Sequence, residues 1–399
     1  MKHRKSYNLL FSQVASSLGS FGFLALAGRA LDLNELGLIG VFFAWFYFTS
    51  GIQRSITSEI FIPRLQSGTV GAVESTHLCS LSTSLLIALV SSMLFATYGA
   101  VFWSLDANST CLALISLLVW LFYDAQRAFR VGESSYSLLL FGEVTFSASL
   151  IIGGLFLVWF KAGVNLFFGA IIVSAAFASM AIGPRLRFRG WMKSIARDGA
   201  LKRAYLLDFL LGSGGQQLVI VCATWFVSSQ DVGSLRLVMT ELGPQSFLLS
   251  AGGPLLLSLN AKRLRTDFLY GFRIAFFEAI ALAAVFGAYS LILNLSPDRY
   301  VRIVFGENAI QGGPYMVWLT LGGVMSIVAL AATVALRVYE VSSAIIKLRI
   351  IAVISLPVGI ALTAIFGARF IAITIFVSAA SYCLSAFALV HWKLRFVGR

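Results

Sequence analysis

Twelve runs of about twenty or more apolar residues, separated by short polar turns, constrain this chain more than any other feature. They lie near 8–28, 36–60, 79–103, 111–130, 137–160 and 164–183, then 204–228, 232–258, 269–294, 314–336, 346–366 and 370–392. A run of that length crosses a hydrocarbon core about 30 Å thick as a helix, the local structure that satisfies every backbone polar group in lipid. Charged residues make up only 12% of the 399, against about a quarter in a soluble domain, so a large water-soluble core is excluded. The first run follows a basic head, MKHRKSYNLLF, and continues past Ala27 without a convincing cleavage site, so it reads as a retained span and not a secretory signal. The expectation is an all-α polytopic membrane protein of about 12 transmembrane helices.

Lysine and arginine set the orientation, because they accumulate in cytoplasmic loops. With the N-terminus inside, 24 of the 30 basic residues fall on cytoplasmic segments and adjoining helix ends. Outside lie five, namely Arg29, Lys161, Arg299, Arg302 and Arg369, and the remaining one, Arg236, sits within the eighth run. Both termini are therefore expected in the cytoplasm, in a bacterial cytoplasmic (inner) membrane. The net charge of +13 is mostly topology and calls for no nucleic acid. A basic segment at 184–203, PRLRFRGWMKSIARDGALKR, is expected to lie on anionic headgroups and to separate an N-terminal lobe, 1–183, from a C-terminal lobe, 204–399.

Two short matches suggest that these six-span halves are copies. An acid-x-Gly opener starts the second span as ELG (35–37) and the eighth as DVG (231–233). AQRAFRV (125–131) at the end of the fourth span shares Ala, Arg, an aromatic and Val with ALRVYEV (335–341) at the end of the tenth. Six is even, so the halves keep one orientation and would be related by an axis along the membrane normal. Two six-helix lobes facing each other enclose a central cavity, the arrangement of alternating-access transporters.

The stretch SQVASSLGSFGFLALAGRALDLNELGLIGVFF…GIQRSITSEIFIPR (12–64) resembles the opening of Wzx-type polysaccharide and O-antigen flippases. These belong to the multidrug/oligosaccharidyl-lipid/polysaccharide exporter superfamily. The likeness rests on a first span with Gln and Ser, on Arg29 after it, and on a second span that ends in a polar Arg/Glu turn before Pro63. DVGSLRLVMTELGPQSFLLSAGGPLLLSL (231–259) repeats the theme, with Gly-Pro before a helix rich in small residues. Some relatives have fourteen spans, and this chain has room for twelve. The resemblance implies a sugar chain on a polyprenyl diphosphate as substrate.

Charges inside the spans are the candidate working groups, since such residues are costly in lipid. Arg236 lies about 7 Å below the start of its helix and can either face the cavity or snorkel to the outer headgroups. Glu241, about 15 Å down, is near the midplane and cannot readily snorkel. Five residues apart, the two cannot pair on one helix. Arg54 is one to two turns inside the second span, where pairing with Glu59 or with inner-leaflet phosphates competes with a substrate role. A diphosphate in a low-dielectric cavity needs fixed positive charge of the kind arginine supplies. Arg54 and Arg236 are the expected substrate-binding residues, with Arg29 at the outer mouth. Glu241, Glu143, Asp208 and Glu278 are the candidates for proton or Na+ coupling, weighed against helix-end solvation and ion pairs near Arg273. Asp124, Arg127, Arg130 and Glu133 form a helix-end cluster that is either a gate or a plain interface.

Other classes are less well supported. For a cation-coupled drug or metabolite antiporter of the same fold, the resemblance to multidrug relatives implies an acid in the membrane part of the N-terminal lobe; the first span here has none, and Gln13 is its main interior polar group. A membrane enzyme of polysaccharide assembly would need paired carboxylates or a sizeable outer domain, and neither is visible; no Gly-rich phosphate loop for direct ATP use occurs either. Four dispersed cysteines and three histidines offer no metal or redox spacing, so no cofactor is expected. The expected partners are the lipid-linked oligosaccharide, membrane lipids, and the polymerase and glycosyltransferases that build and consume the glycan.

Overall fold

The computed structural model describes residues 2–59, 73–183, 199–296, 298–338 and 342–397, and among them every regular element is helical. Most of the basic linker (184–198), the turn with Pro63 and Arg64, and the 339–341 end of the second repeat stretch lie outside the described residues. The chain divides into two compact units, Met1–Leu210 and Leu211–Arg399.

The first unit contains α1 (Lys2–Ala30), α2 (Leu33–Ile56), α3 (Val73–Phe102), α4 (Ala107–Gly132), α5 (Tyr136–Phe160), α6 (Gly163–Ile182) and α7 (Gly199–Phe209). The second contains α8 (Gly215–Ala223), α9 (Ser229–Glu241), α10 (Gly243–Thr266), α11 (Phe268–Leu295) and the short α12 (Asp298–Phe305). It continues with α13 (Gly313–Val338), α14 (Ser342–Phe366) and α15 (Arg369–Val397). Among the described residues, ten helical stretches are long and apolar enough to cross a membrane. The other two expected spans are helical as well: the first is α1, and the eighth is divided between α9 and α10.

Both units follow one pairing scheme. In the first unit, counting its spans in order, α1 packs on α5, α5 on α6, α3 on α4, α4 on α6, and α2 on α3 and α4. In the second, α8 packs on α14, α14 on α15, α11 on α13, α13 on α15, and α10 on α11 and α13. These are the same six pairings, first with fifth through second with fourth.

Small residues set the α1–α5 contact. With little hydrophobic drive between helices in lipid, close van der Waals approach and interhelical hydrogen bonds do the work. Ser147 of α5 donates its hydroxyl to the Ala15 carbonyl at 2.8 Å, and a Cβ added at Gly19 would stand 2.7 Å from the Ser147 Cα. Gly19→Ala is therefore expected to push the helices apart and destabilise the unit by about 1–3 kcal/mol, as overpacked contacts do. Thermal unfolding in detergent checks this, and adding Ser147→Gly should not restore the midpoint, because the Ser147 Cα stays in place and the hydrogen bond to Ala15 is lost.

The core of the first unit is aromatic. Phe46 stacks on Trp120 with centroids 3.8 Å apart, while Phe42, Phe43, Phe167 and Phe168 close the cluster from α2 and α6. The second unit is filled mainly by aliphatic side chains such as Val238, Ile327, Leu256 and Leu336.

The acid-x-Gly openers turn out to be helix caps. Asp32 caps α2 by accepting from the Glu35 backbone N–H at 2.8 Å, and Glu35 Oε2 accepts from the Asp32 N–H in return. The other oxygen, Glu35 Oε1, accepts from the Val164 N–H at 3.0 Å, so one carboxylate serves the starts of both α2 and α6. At α9, Ser228 is the cap and its hydroxyl donates to Asp231 Oδ2 at 2.7 Å. The Tyr315 hydroxyl of α13 donates to Asp231 Oδ1 at 3.1 Å.

Two expected spans prove to be broken. The seventh passes through a π-helical segment, Leu210–Gly214, in which Gly212 is non-helical, and the division between the units falls here. The space a Gly212 side chain would need is filled by the Arg349 guanidinium, which also lies 5.8 Å from the Tyr382 ring centroid. The eighth, expected as one helix over 232–258, stops at Glu241 and restarts at Gly243. Pro244 in the first turn of α10 explains the restart, since proline suits a helix start and interrupts a helix interior.

Candidate functional site

A chain of charge lies within the membrane-spanning helices of the first unit. The i, i+3 spacing on α4 puts Asp124 and Arg127 one turn apart on one face. The Asp124 side chain is only 4% exposed and is held by a fork from Arg54 of α2. Arg54 Nη2 donates to Oδ1 at 2.5 Å and Nε donates to Oδ2 at 3.0 Å. The Ser50 hydroxyl, one turn earlier on α2, donates to the same Oδ2 at 2.7 Å. Arg127 Nη1 stands 3.7 Å from Oδ1, and the Nε of the same arginine pairs with Glu143 of α5, whose side chain is fully buried. Ser16 and Tyr123 lie against that carboxyl group. The order Arg54, Asp124, Arg127, Glu143 alternates basic and acidic groups, so each buried carboxyl has a guanidinium beside it. Asp124 and Glu143 are sealed, whereas nearly half of the Arg54 side chain, 46%, is exposed.

Arg130 has a different task. Its Nη2 donates to the carbonyls of Ile182 at 2.5 Å and Gly183 at 3.0 Å, closing the C-terminal end of α6, and its Nη1 pairs with Glu133 at 2.5 Å. Positive charge at a helix C-terminus satisfies orphan carbonyls and complements the helix dipole. The expected Asp124/Arg127/Arg130/Glu133 cluster thus separates into a charge chain and a helix-end clamp.

In the second unit the break in the eighth span is the principal feature. Glu241 is the last residue of α9 and is 5% exposed. Among the described residues its Oε1 has no hydrogen-bond partner. Its main-chain carbonyl lies beside the restart of the helix, where the Gln245 N–H bonds to Leu242 instead. The Tyr289 hydroxyl of α11 donates to that Glu241 carbonyl at 2.7 Å. Tyr289→Phe should orphan a buried acceptor and cost about 1–3 kcal/mol, read as a lowered midpoint of thermal unfolding.

The other expected residues are dispersed. Arg236 is half-buried on α9, and its carbonyl accepts from the Thr240 hydroxyl at 3.0 Å. Arg29 is exposed in the last turn of α1, and Asp208 is half-buried near the end of α7. Glu278 of α11 accepts from the Asn260 amide of α10 at 2.5 Å and lies 3.7 Å from Arg263. The carboxylate partner of Arg54 is Asp124 of α4, not Glu59. Sequence reasoning also missed Tyr289, and the signal for it was the Gly243-Pro244 pair, which announces a freed carbonyl one turn earlier. Among the described residues no three His, Cys, Asp or Glu side chains gather to hold a metal ion.

No protein-family model matches the sequence, and no curated protein matches it. Solved structures do. The lipid II flippase MurJ in an inward closed conformation is similar over 97% of this chain and 87% of its own, with 12% identity and a TM-score of 0.69. A multidrug resistance MATE family transporter of the MOP superfamily, inward-facing, is similar over 97% of this chain and 95% of its own, with 15% identity and a TM-score of 0.62. A MOP superfamily transporter from Pyrococcus furiosus matches over 99% and 97%, with 14% identity and a TM-score of 0.60. Identities this low carry the fold, and the fold is that of multi-pass MOP-superfamily transporters.

Proposed function

We propose that this chain, built on the MOP transporter fold, belongs to that superfamily and flips a polyprenyl-diphosphate-linked oligosaccharide across the bacterial cytoplasmic membrane for cell-surface polysaccharide synthesis. The observation that supports it most is Arg54, a half-exposed guanidinium in the last turn of α2, anchored from behind by a sealed carboxylate. A planar, always-charged fork suits a diphosphate, and intramembrane charges of this kind mark substrate pathways. Similarity to MurJ, a lipid II flippase, agrees in substrate class. Arg29 in the last turn of α1 and, within the second unit, Arg236 of α9 are the further candidates to offer positive charge to the substrate. Of the four acids considered for coupling, Glu143 and Glu278 are engaged by Arg127 and by Asn260 and Arg263. Glu241 at the helix break is the group to take up a proton or bind Na+, and Asp208 of α7 is a second candidate by its place in the span alone.

Proteoliposomes carrying a lipid-linked oligosaccharide test this directly, by the fraction of glycan that changes leaflet. The chain should move it, Arg236→Lys should retain part of the activity, and Arg236→Ala should lose it. Normal flipping by Arg236→Ala would reassign that arginine to anchoring at the headgroups. The alternative is a cation-coupled antiporter of the same fold, favoured by the unpartnered Glu241 oxygen. Extrusion of a cationic dye without movement of the glycan would select it.

Each lobe is proposed to hold six spans, with both termini and the 184–203 linker cytoplasmic. Reporter fusions at Asp106 and Pro297 should read outside and a fusion at Gly190 inside. An outside signal at Gly190 would end the twelve-span arrangement.

A further inference from the structure

We propose that Asp124 is a displaceable counter-ion: it yields Arg54 to an incoming diphosphate and retakes the arginine to expel it. The identity of the ligand rests on the flippase reading; the exchange itself rests on the geometry of the charge chain. The Asp124 fork occupies Nε and Nη2 of Arg54, the same edge of the guanidinium that would hold a phosphate in bidentate fashion. Exposure is asymmetric. A ligand can reach Arg54, which is 46% exposed, but not Asp124, which is 4% exposed.

Displacement would ordinarily strand a buried carboxylate, and two features prevent it here. Ser50 continues to donate to Oδ2, and Arg127 Nη1 waits 3.7 Å from Oδ1. A shift of about 1 Å turns that contact into a hydrogen bond of ordinary length. Asp124 therefore has a second seat within reach, and Arg127 keeps its own partner, Glu143, during the exchange. A diphosphate carries more negative charge than one carboxylate and so takes the fork on arrival. The sealed carboxylate stays beside the guanidinium throughout, and its return offsets the ligand's hold and permits release.

The test uses the full chain in lipid nanodiscs with inorganic pyrophosphate as the probe, beside flipping in proteoliposomes. Asp124→Asn keeps the shape and an acceptor but removes the competing charge. It should bind pyrophosphate roughly tenfold more tightly, the low end of measured couplings between close charges. In flipping it should lower both KM and kcat, since release slows. Unchanged or weaker pyrophosphate binding by Asp124→Asn would overturn the proposal and leave Asp124 as a support for Arg54.

Should that variant fail to fold, Arg127→Lys serves instead. It keeps a positive charge beside Glu143 but removes the Nη1 that receives Asp124 only after displacement, so pyrophosphate should bind more weakly, and wild-type affinity would overturn the exchange. Arg54→Ala combined with Asp124→Asn should abolish probe binding, which places the probe at this site. Because the pyrophosphate arm requires no transport, a chain that flips no glycan would sink the proposed substrate while leaving the counter-ion result to stand or fall separately.

Discussion

Arg127→Ala is expected to destabilise the N-terminal unit by about 3–5 kcal/mol, the usual consequence of stripping one partner from a buried ion pair. The cost arises at Glu143, not at the arginine. The Glu143 side chain is fully buried against Arg127, and α5 offers it no route to water. Thermal unfolding in detergent should show a midpoint lower by roughly 10 °C, given about 2–4 °C per kcal/mol for a unit of this size. Arg127→Ala together with Glu143→Gln removes both charges and should recover most of the midpoint. A double variant as unstable as the single one would mean that Arg127 contributes packing and not charge.

Arg54→Ala is the second large effect, and it should separate stability from transport. Alone it unseats Asp124 and costs about 3 kcal/mol, the lower end for a buried pair because Arg54 is itself half exposed. Combined with Asp124→Asn, the unit should regain its midpoint and its level in the membrane. Flipping should nevertheless stay down by roughly a hundredfold or more, as expected when a charged anchor for a charged ligand is lost. Arg54→Lys should fall between, since an ammonium keeps the charge and loses the fork. Full export by the stable double variant would remove Arg54 from the substrate path.

Helix positions were legible from the sequence wherever one apolar run made one helix. The run at 137–160 became α5 over Tyr136–Phe160, and 164–183 became α6 over Gly163–Ile182. The eighth run misled because hydropathy is blind to backbone continuity: Gly243 and Pro244 are apolar enough to extend a span and yet they end one helix and begin another. Within the candidate site, the individual charges were visible but their pairing was not. Arg54 and Asp124 are 70 positions apart, so no local periodicity joins them. Glu59, five residues away on the same chain, was the partner that local reasoning offered. The acid-x-Gly openers were legible as a recurrence, while their physical content, two caps with different partners, needed Val164 and Tyr315 to be placed beside them.

The wiring of the charge chain also has a consequence for how the protein is made. Arg127 and Glu143 sit on successive helices, so they can leave the ribosome as a hairpin and enter the membrane already neutralised. Arg54 has no such company, because its partner is synthesised only after α3 has followed α2. During that interval an arginine near the helix end must be tolerated in the bilayer without Asp124, at up to about 2.5–3.5 kcal/mol on insertion scales if it is not shielded. Nascent chains stopped after Phe102 should therefore hold α2 less firmly in the membrane than chains extended past Gly132, and Asp124→Asn should erase that difference. The unit would then mature in a fixed order, with α4 securing a helix that was laid down two spans before it.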